Sequence, residues 1–182
     1  MMKATKNIWA VLMAFLMLPL LGYSQNPKTD FENFVQLFPE HYLPFAIAEN
    51  ELATIDKSEL KLIPAKDLHF LPFDKNNEQV DVYAYAAVDL EDGKKLLFHL
   101  VDSDYPFVRE VYMSVYTAEG FPESTELFAA YENGVNESYT YAIVNQNKVM
   151  HRTTKTFQAQ KSGVRLVTDK FRLNTIGEIV AL

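Results

Sequence analysis

The stretch VDVYAYAAVDLEDGKKLLFHLV, residues 80–101, decides how this chain is read. Val80, Val82, Ala84, Ala86 and Val88 alternate with Asp81, Tyr83, Tyr85 and Ala87. An alternation of period two is the mark of a β-strand, whose successive side chains point to opposite faces. Leu90-Glu91-Asp92-Gly93 then breaks the pattern, and a second apolar run returns over residues 96–101. Glycine adopts positive φ without steric cost, which tight reverse turns demand. The stretch therefore predicts a strand, a turn and a returning strand.

The same unit recurs toward the end of the sequence. Turn signals stand at Thr117-Ala118-Glu119-Gly120, at Asn145-Gln146-Asn147 and at Asn174-Thr175-Ile176-Gly177, spaced about 27 to 30 residues apart. Asn147 is expected to take the positive-φ role that glycine plays in the others. Asn133-Gly134 adds a further hairpin signal between residues 127–132 and 138–144. The runs at residues 108–117, 125–132, 137–144, 149–157, 164–173 and 178–182 complete the series. Together they predict an antiparallel meander of about eight strands, curled into a half-barrel or folded into two layers. Several runs are apolar on both faces, so much of the sheet should be covered twice.

Upstream, Thr29 and Glu32 have capping-box spacing, and Phe31, Phe34, Val35 and Phe38 recur at helical spacing. This predicts a short amphipathic helix at residues 30–38, ended by Pro39. Leu43, Phe45 and Ile47 alternate and suggest a short edge strand between prolines. Pro64 opens one or two helical turns, and residues 74–79 read as a loop. The fold class is α+β, mostly β, in one domain over residues 25–182.

Residues 1–24 read as a secretory leader. Lys3 and Lys6 precede an apolar run at residues 8–21, too short for a comfortable membrane span, and Gly22-Tyr23-Ser24 offers small residues for cleavage before Gln25. The expected location is therefore secreted or periplasmic, with no membrane span after cleavage. The chain carries a net charge of −7 and no cysteine. Acidity argues against nucleic acid and anionic membrane surfaces as partners. Without cysteine there are no disulfides, no thiol catalysis, no Cys-ligated zinc and no lipidated N-terminal Cys. Stability must come from packing, for which 10 Tyr and 13 Phe supply large side chains.

The leader ending in Ser24-Gln25, the Phe-rich helix, the Phe38-Pro39 and Leu43-Pro44-Phe45 segment, and the hairpins at residues 115–120 and 141–145 resemble small uncharacterised secreted proteins of Bacteroidota. The resemblance implies an exported protein and carries over no catalytic residue.

The search for chemistry is mostly negative. His41, His69, His99 and His151 show no metal-ligand spacing, and no Gly-x-Ser-x-Gly elbow or glycine-rich phosphate loop occurs. No cofactor is implied. Asp102 and Asp104, expected in a loop with Glu110 nearby, are the candidate acid pair of a glycan-directed hydrolase. The tyrosines are more distinctive. Tyr83 with Tyr85, Tyr112 with Tyr116, and Tyr139 with Tyr141 each share one face of a strand. Such rings can stack on sugars or peptide side chains while the hydroxyl orients the ligand. The leading expectation is thus a non-enzymatic exported protein that binds a glycan, a peptide or an envelope partner through an aromatic sheet face. A third reading is strand addition at an exposed edge, with residues 178–182 as the candidate.

Overall fold

The computed structural model describes residues 27–72, 80–104, 107–158 and 163–182. The expected leader and the expected loop at residues 74–79 lie outside them. The chain is mostly β, as the turn pattern predicts, and forms one large sheet that does not close into a barrel.

Helix α1, Pro27–Val35, begins earlier than expected, with Pro27 at its first position. A proline has no N–H to lose there and its φ is already helical. Thr29 therefore sits inside the helix, not at a capping box. Two short strands follow, β1 at Glu40–His41 and β2 at Phe45–Ile47, joined across a cis Leu43-Pro44 peptide. A single helical turn, α2 at Glu51–Thr54, leads to a 3-10 turn at Lys57–Glu59 and to β3 at Lys61–Leu62. The turns expected after Pro64 are a 3-10 helix, Ala65–Phe70.

The meander is β4 Asp81–Asp89, β5 Lys95–Asp104, β6 Phe107–Tyr116, β7 Pro122–Glu132, β8 Ser138–Val144, β9 Val149–Gln158, β10 Gly163–Leu173 and β11 Ile179–Ala181. Each pairs antiparallel with the next, in chain order. The outer edge of β4 is covered by β1, which runs parallel to it, and by β3. In contrast, β2 pairs with β8. Three residues separate His41 of β1 from Phe45 of β2, and the four steps between them reach about 14 Å at most. Flat strands would set those partners about 19 Å apart at ~4.8 Å per strand. The sheet must be rolled, and the 40–47 segment crosses its inside.

Packing on both faces follows. Phe45, Ile47 and Leu52 fill the inside of the roll with Phe98, Leu100, Val111, Met113, Phe128, Val144 and Met150. The Phe45 ring lies 4.3 Å from Phe98 and 5.9 Å from Phe128, on two different strands. Outside, Phe31 and Phe34 of α1 and Phe38 just beyond it cover Val82, Ala84, Ala87, Leu97 and Tyr116. The sheet is thus covered on both faces over β4, β5 and β6, where the apolar runs are two-sided.

Three local expectations change. The alternation in β4 does not run through. A bulge between Ala84 and Ala86 adds Tyr85 to the strand, so Val82 and Ala84 face α1 while Ala86 and Val88 face the inside. In the third turn Lys148, not Asn147, has positive φ. The asparagine signal is still physical: Asn145 Oδ1 accepts from the N–H groups of Asn147 and Val149. Asn174 repeats this with Ile176 and Glu178, and the Thr117 hydroxyl with Glu119 and Phe121. Lastly, Asp102 and Asp104 are strand residues, paired with Arg109 and Phe107, because the β5–β6 ladder continues that far.

Candidate functional site

A cleft lies where the crossing segment passes Tyr85 of β4. It holds about 510 Å³ and is lined by Pro39, His41, Tyr42, Pro44, Phe45, Ala46, Glu51, Ile55, Asp56, Glu59, Leu60 and Tyr85. That volume suits a small ligand or a few residues of a peptide. Its parts come from three places. Strands β1 and β2 bring the aromatic wall, α2 and the following 3-10 turn bring the acids, and the β4 bulge brings Tyr85.

The bulge matters because it places both Tyr85 and Ala86 toward the inside. The Tyr85 hydroxyl donates to Glu51 Oε1 at 2.5 Å. Burial first, and then that carboxylate, push the phenol well above its ordinary pKa. The other oxygen of Glu51 accepts from the Ala48 N–H at 3.0 Å, so the carboxylate is fixed from two sides. Asp56 caps the 3-10 turn by accepting from the Ser58 N–H at 2.9 Å. Hydrogen bonds from Ser58, hydroxyl first and N–H second, hold its carboxyl below the usual carboxylate range. On the opposite rim the exposed Tyr42 donates to Glu40 at 3.0 Å, and the His41 ring meets Phe45 edge-on at 5.2 Å. Three carboxylates, Glu51, Asp56 and Glu59, line the cleft, and among the described residues no lysine or arginine does.

The tyrosines singled out in the sequence do not form one platform. Tyr83 and Tyr85 do share a face, and only Tyr85 lines the cleft. Tyr83 is half-buried and donates to Asp81 at 3.3 Å. Tyr116 is fully buried beneath α1 and donates to the Phe70 carbonyl at 2.9 Å. Tyr112 stacks on His99 at 5.8 Å and donates to Glu110 at 2.9 Å; burial and then Glu110 push it up to about 12. Tyr139 belongs to an aromatic ladder across four strands: Phe107 to Tyr131 at 5.8 Å, Tyr131 to Tyr139 at 5.0 Å, and Tyr139 to Phe157 at 5.9 Å. Its hydroxyl, like that of Tyr131, donates to Glu137. Tyr141 is half-buried on β8.

Asp102 is buried and held by Lys57 on one oxygen and by Arg109 Nε at 3.3 Å on the other. Arg109 also donates to the Leu52 carbonyl at 2.7 Å. This cluster ties α2 and its 3-10 turn to the sheet, and so steadies the acidic wall of the cleft.

Sequence reasoning missed His41, Tyr42, Phe45 and the acids of residues 51–59 as site residues. Their only signal was the pair of prolines that removes 39–45 from a regular strand. Among the described residues no three His, Asp or Glu side chains converge as metal ligands, and no helix is long and apolar enough to cross a membrane. No protein-family model matches the chain, and comparison with curated proteins and with solved structures gives no match.

Proposed function

We propose that this chain is an exported, non-catalytic binding protein whose cleft takes a basic segment of a polypeptide partner. The observation that carries the reading is the cleft itself: an aromatic and aliphatic floor, with His41 in it, rimmed by Glu51, Asp56 and Glu59 and by no lysine or arginine among the described residues. A lysine or arginine suits such a place, because its methylene stem covers apolar surface while its charged head reaches the acids. The aromatic wall adds cation–π attraction. A sugar platform is less well supported, since the tyrosine hydroxyls are engaged with neighbouring carboxylates and a carbonyl. A glycosidase reading finds Asp102 held by two cations, away from the cleft lining.

The test is calorimetric titration of the purified protein with a short arginine-containing peptide, its glutamate-containing counterpart and a neutral oligosaccharide. Binding of the basic peptide is expected, weakening in high salt because exposed charges are screened beyond ~8–10 Å. Glu59→Lys is expected to reduce affinity at least about tenfold, which corresponds to ~1.4 kcal/mol. Equal binding of the acidic peptide, or binding of the oligosaccharide alone, would overturn the proposal.

A further inference from the structure

The two edges of the sheet are treated very differently. The outer edge of β4 is covered by β1 and β3. The outer edge of β10 meets β11 only over Phe171–Leu173, with one more bond from the Leu182 N–H to the Lys170 carbonyl. Residues 163–169 are paired on one side alone, to β9.

The direction of the backbone groups follows from those bonds. In an antiparallel strand the N–H and C=O of one residue point to the same side, and sides alternate along the chain. Lys170 points outward to Leu182, while Leu173 points inward, its N–H reaching the Lys148 carbonyl. Val164, Leu166 and Thr168 therefore direct their N–H and C=O groups outward, and none of these groups has a partner among the described residues. Three apolar side chains on this edge are exposed, Val164 at 52%, Leu166 at 63% and Val167 at 38%, interleaved with Arg165, Thr168 and Asp169. Natural edge strands are usually blunted by charged side chains, lysine above all, or by proline, a bulge or a cover; here the charges are Arg165 and Asp169, and Asp169 is already paired with Arg152. Residues 163–169 contain no proline and no lysine, and their pairing to β9 shows no bulge.

We propose that this edge pairs with the same edge of a second copy, antiparallel about a two-fold axis at Leu166. The occupant follows from the symmetry of the opening. Its midpoint is Leu166, and its outward residues lie evenly about that point. In the register that sets Leu166 against its own mate, Val164 meets the second copy's Thr168 and every outward N–H and C=O is paired. A shift by two residues toward the C-terminus drives the second strand into Leu182. A shift the other way sets Arg165 against Arg165. In the Leu166 register Arg165 faces Val167, with the second copy's Asp169 on one diagonal and its Arg165 on the other, and no like charges stand directly opposite. Because the β4 edge is covered, the pairing closes as a dimer and does not propagate.

The absence of native cysteine makes the test direct. In the hydrogen-bonded pair at the axis the two Cα atoms lie about 5.5 Å apart, within disulfide reach. The two Val164 residues lie roughly 13 Å apart along the strands in the same register, by the ~3.4 Å rise per residue. Purified protein is expected to sediment with the mass of a dimer. Under mild oxidation Leu166→Cys is expected to link copies rapidly and Val164→Cys at least about tenfold more slowly. Leu166→Lys, checked for folding by circular dichroism, is expected to sediment as a monomer. A monomeric wild-type protein, or Val164→Cys linking as fast as Leu166→Cys, would overturn the two-fold pairing. The peptide titration of the cleft is untouched by either result.

Discussion

Phe45→Ala probes the join between the crossing segment and the rolled sheet. The ring is 7% exposed and is gripped by Phe98 at 4.3 Å, Phe128 at 5.9 Å and Tyr85 at 6.4 Å. Those neighbours stand on three separate hydrogen-bonded strands, so they cannot collapse together into the space left by the ring. Buried Phe→Ala changes cost about 3–5 kcal/mol when the cavity persists. The rigid surroundings place this one near 4 kcal/mol, a large share of the ~5–15 kcal/mol that holds a typical domain folded. With a urea slope of about 2 kcal/mol per M, the unfolding midpoint falls by about 2 M. Urea unfolding followed by far-ultraviolet circular dichroism reads the shift. Phe121→Ala, at an exposed position, serves as the control and is expected to move stability by no more than about 0.5 kcal/mol. A Phe45→Ala cost below about 1 kcal/mol would refute the reasoning, because the 40–47 segment would then not be wedged inside the roll.

Asp102→Asn is expected to cost roughly 3–5 kcal/mol in the same assay, since it leaves Arg109 and Lys57 facing an uncharged amide in a buried place. Lys57→Met should cost less, its side chain being 34% exposed and screened by water. Gly120→Ala is expected to cost about 2–3 kcal/mol or more: the residue has φ of 92°, and an added Cβ would lie 2.4 Å from Phe31 Cγ beneath α1. Spectrophotometric titration at high pH should show Tyr112 and Tyr139 ionising only at about 12, the first through burial and the second chiefly through its hydrogen bond to Glu137. A phenol whose pKa is higher in the folded state gives stability that is intact below about 10 and is lost as pH rises through about 12. Glu137→Gln should bring Tyr139 down without moving Tyr112.

The meander was legible because hairpins are local. Gly93, Gly120 and Gly177 all have positive φ, and the period-two runs between the turns became strands. Asn145 and Asn174 revealed their turns through side-chain acceptors that act within four residues of sequence. Apolar residues on both faces announced the double cover, although nothing in them says which segment supplies it. The pairing of β2 with β8 joins residues about a hundred positions apart, and no local pattern specifies such a partner. The Tyr85 bulge was invisible because Ala86, Ala87 and Val88 suit either face. The site escaped for the same reason. Its wall and its acids lie in short irregular pieces between prolines, and only the roll of the sheet gathers them around Tyr85.

The central claim, that the cleft beside Tyr85 receives a basic peptide segment, is tested most directly by mapping backbone amide shifts while an arginine-containing peptide is added. The account predicts shifts confined to residues 40–47, 51–60 and the neighbourhood of Tyr85. Shifts centred on the aromatic ladder of Tyr131, Tyr139 and Phe157, or no shifts at a saturating peptide concentration, would contradict it.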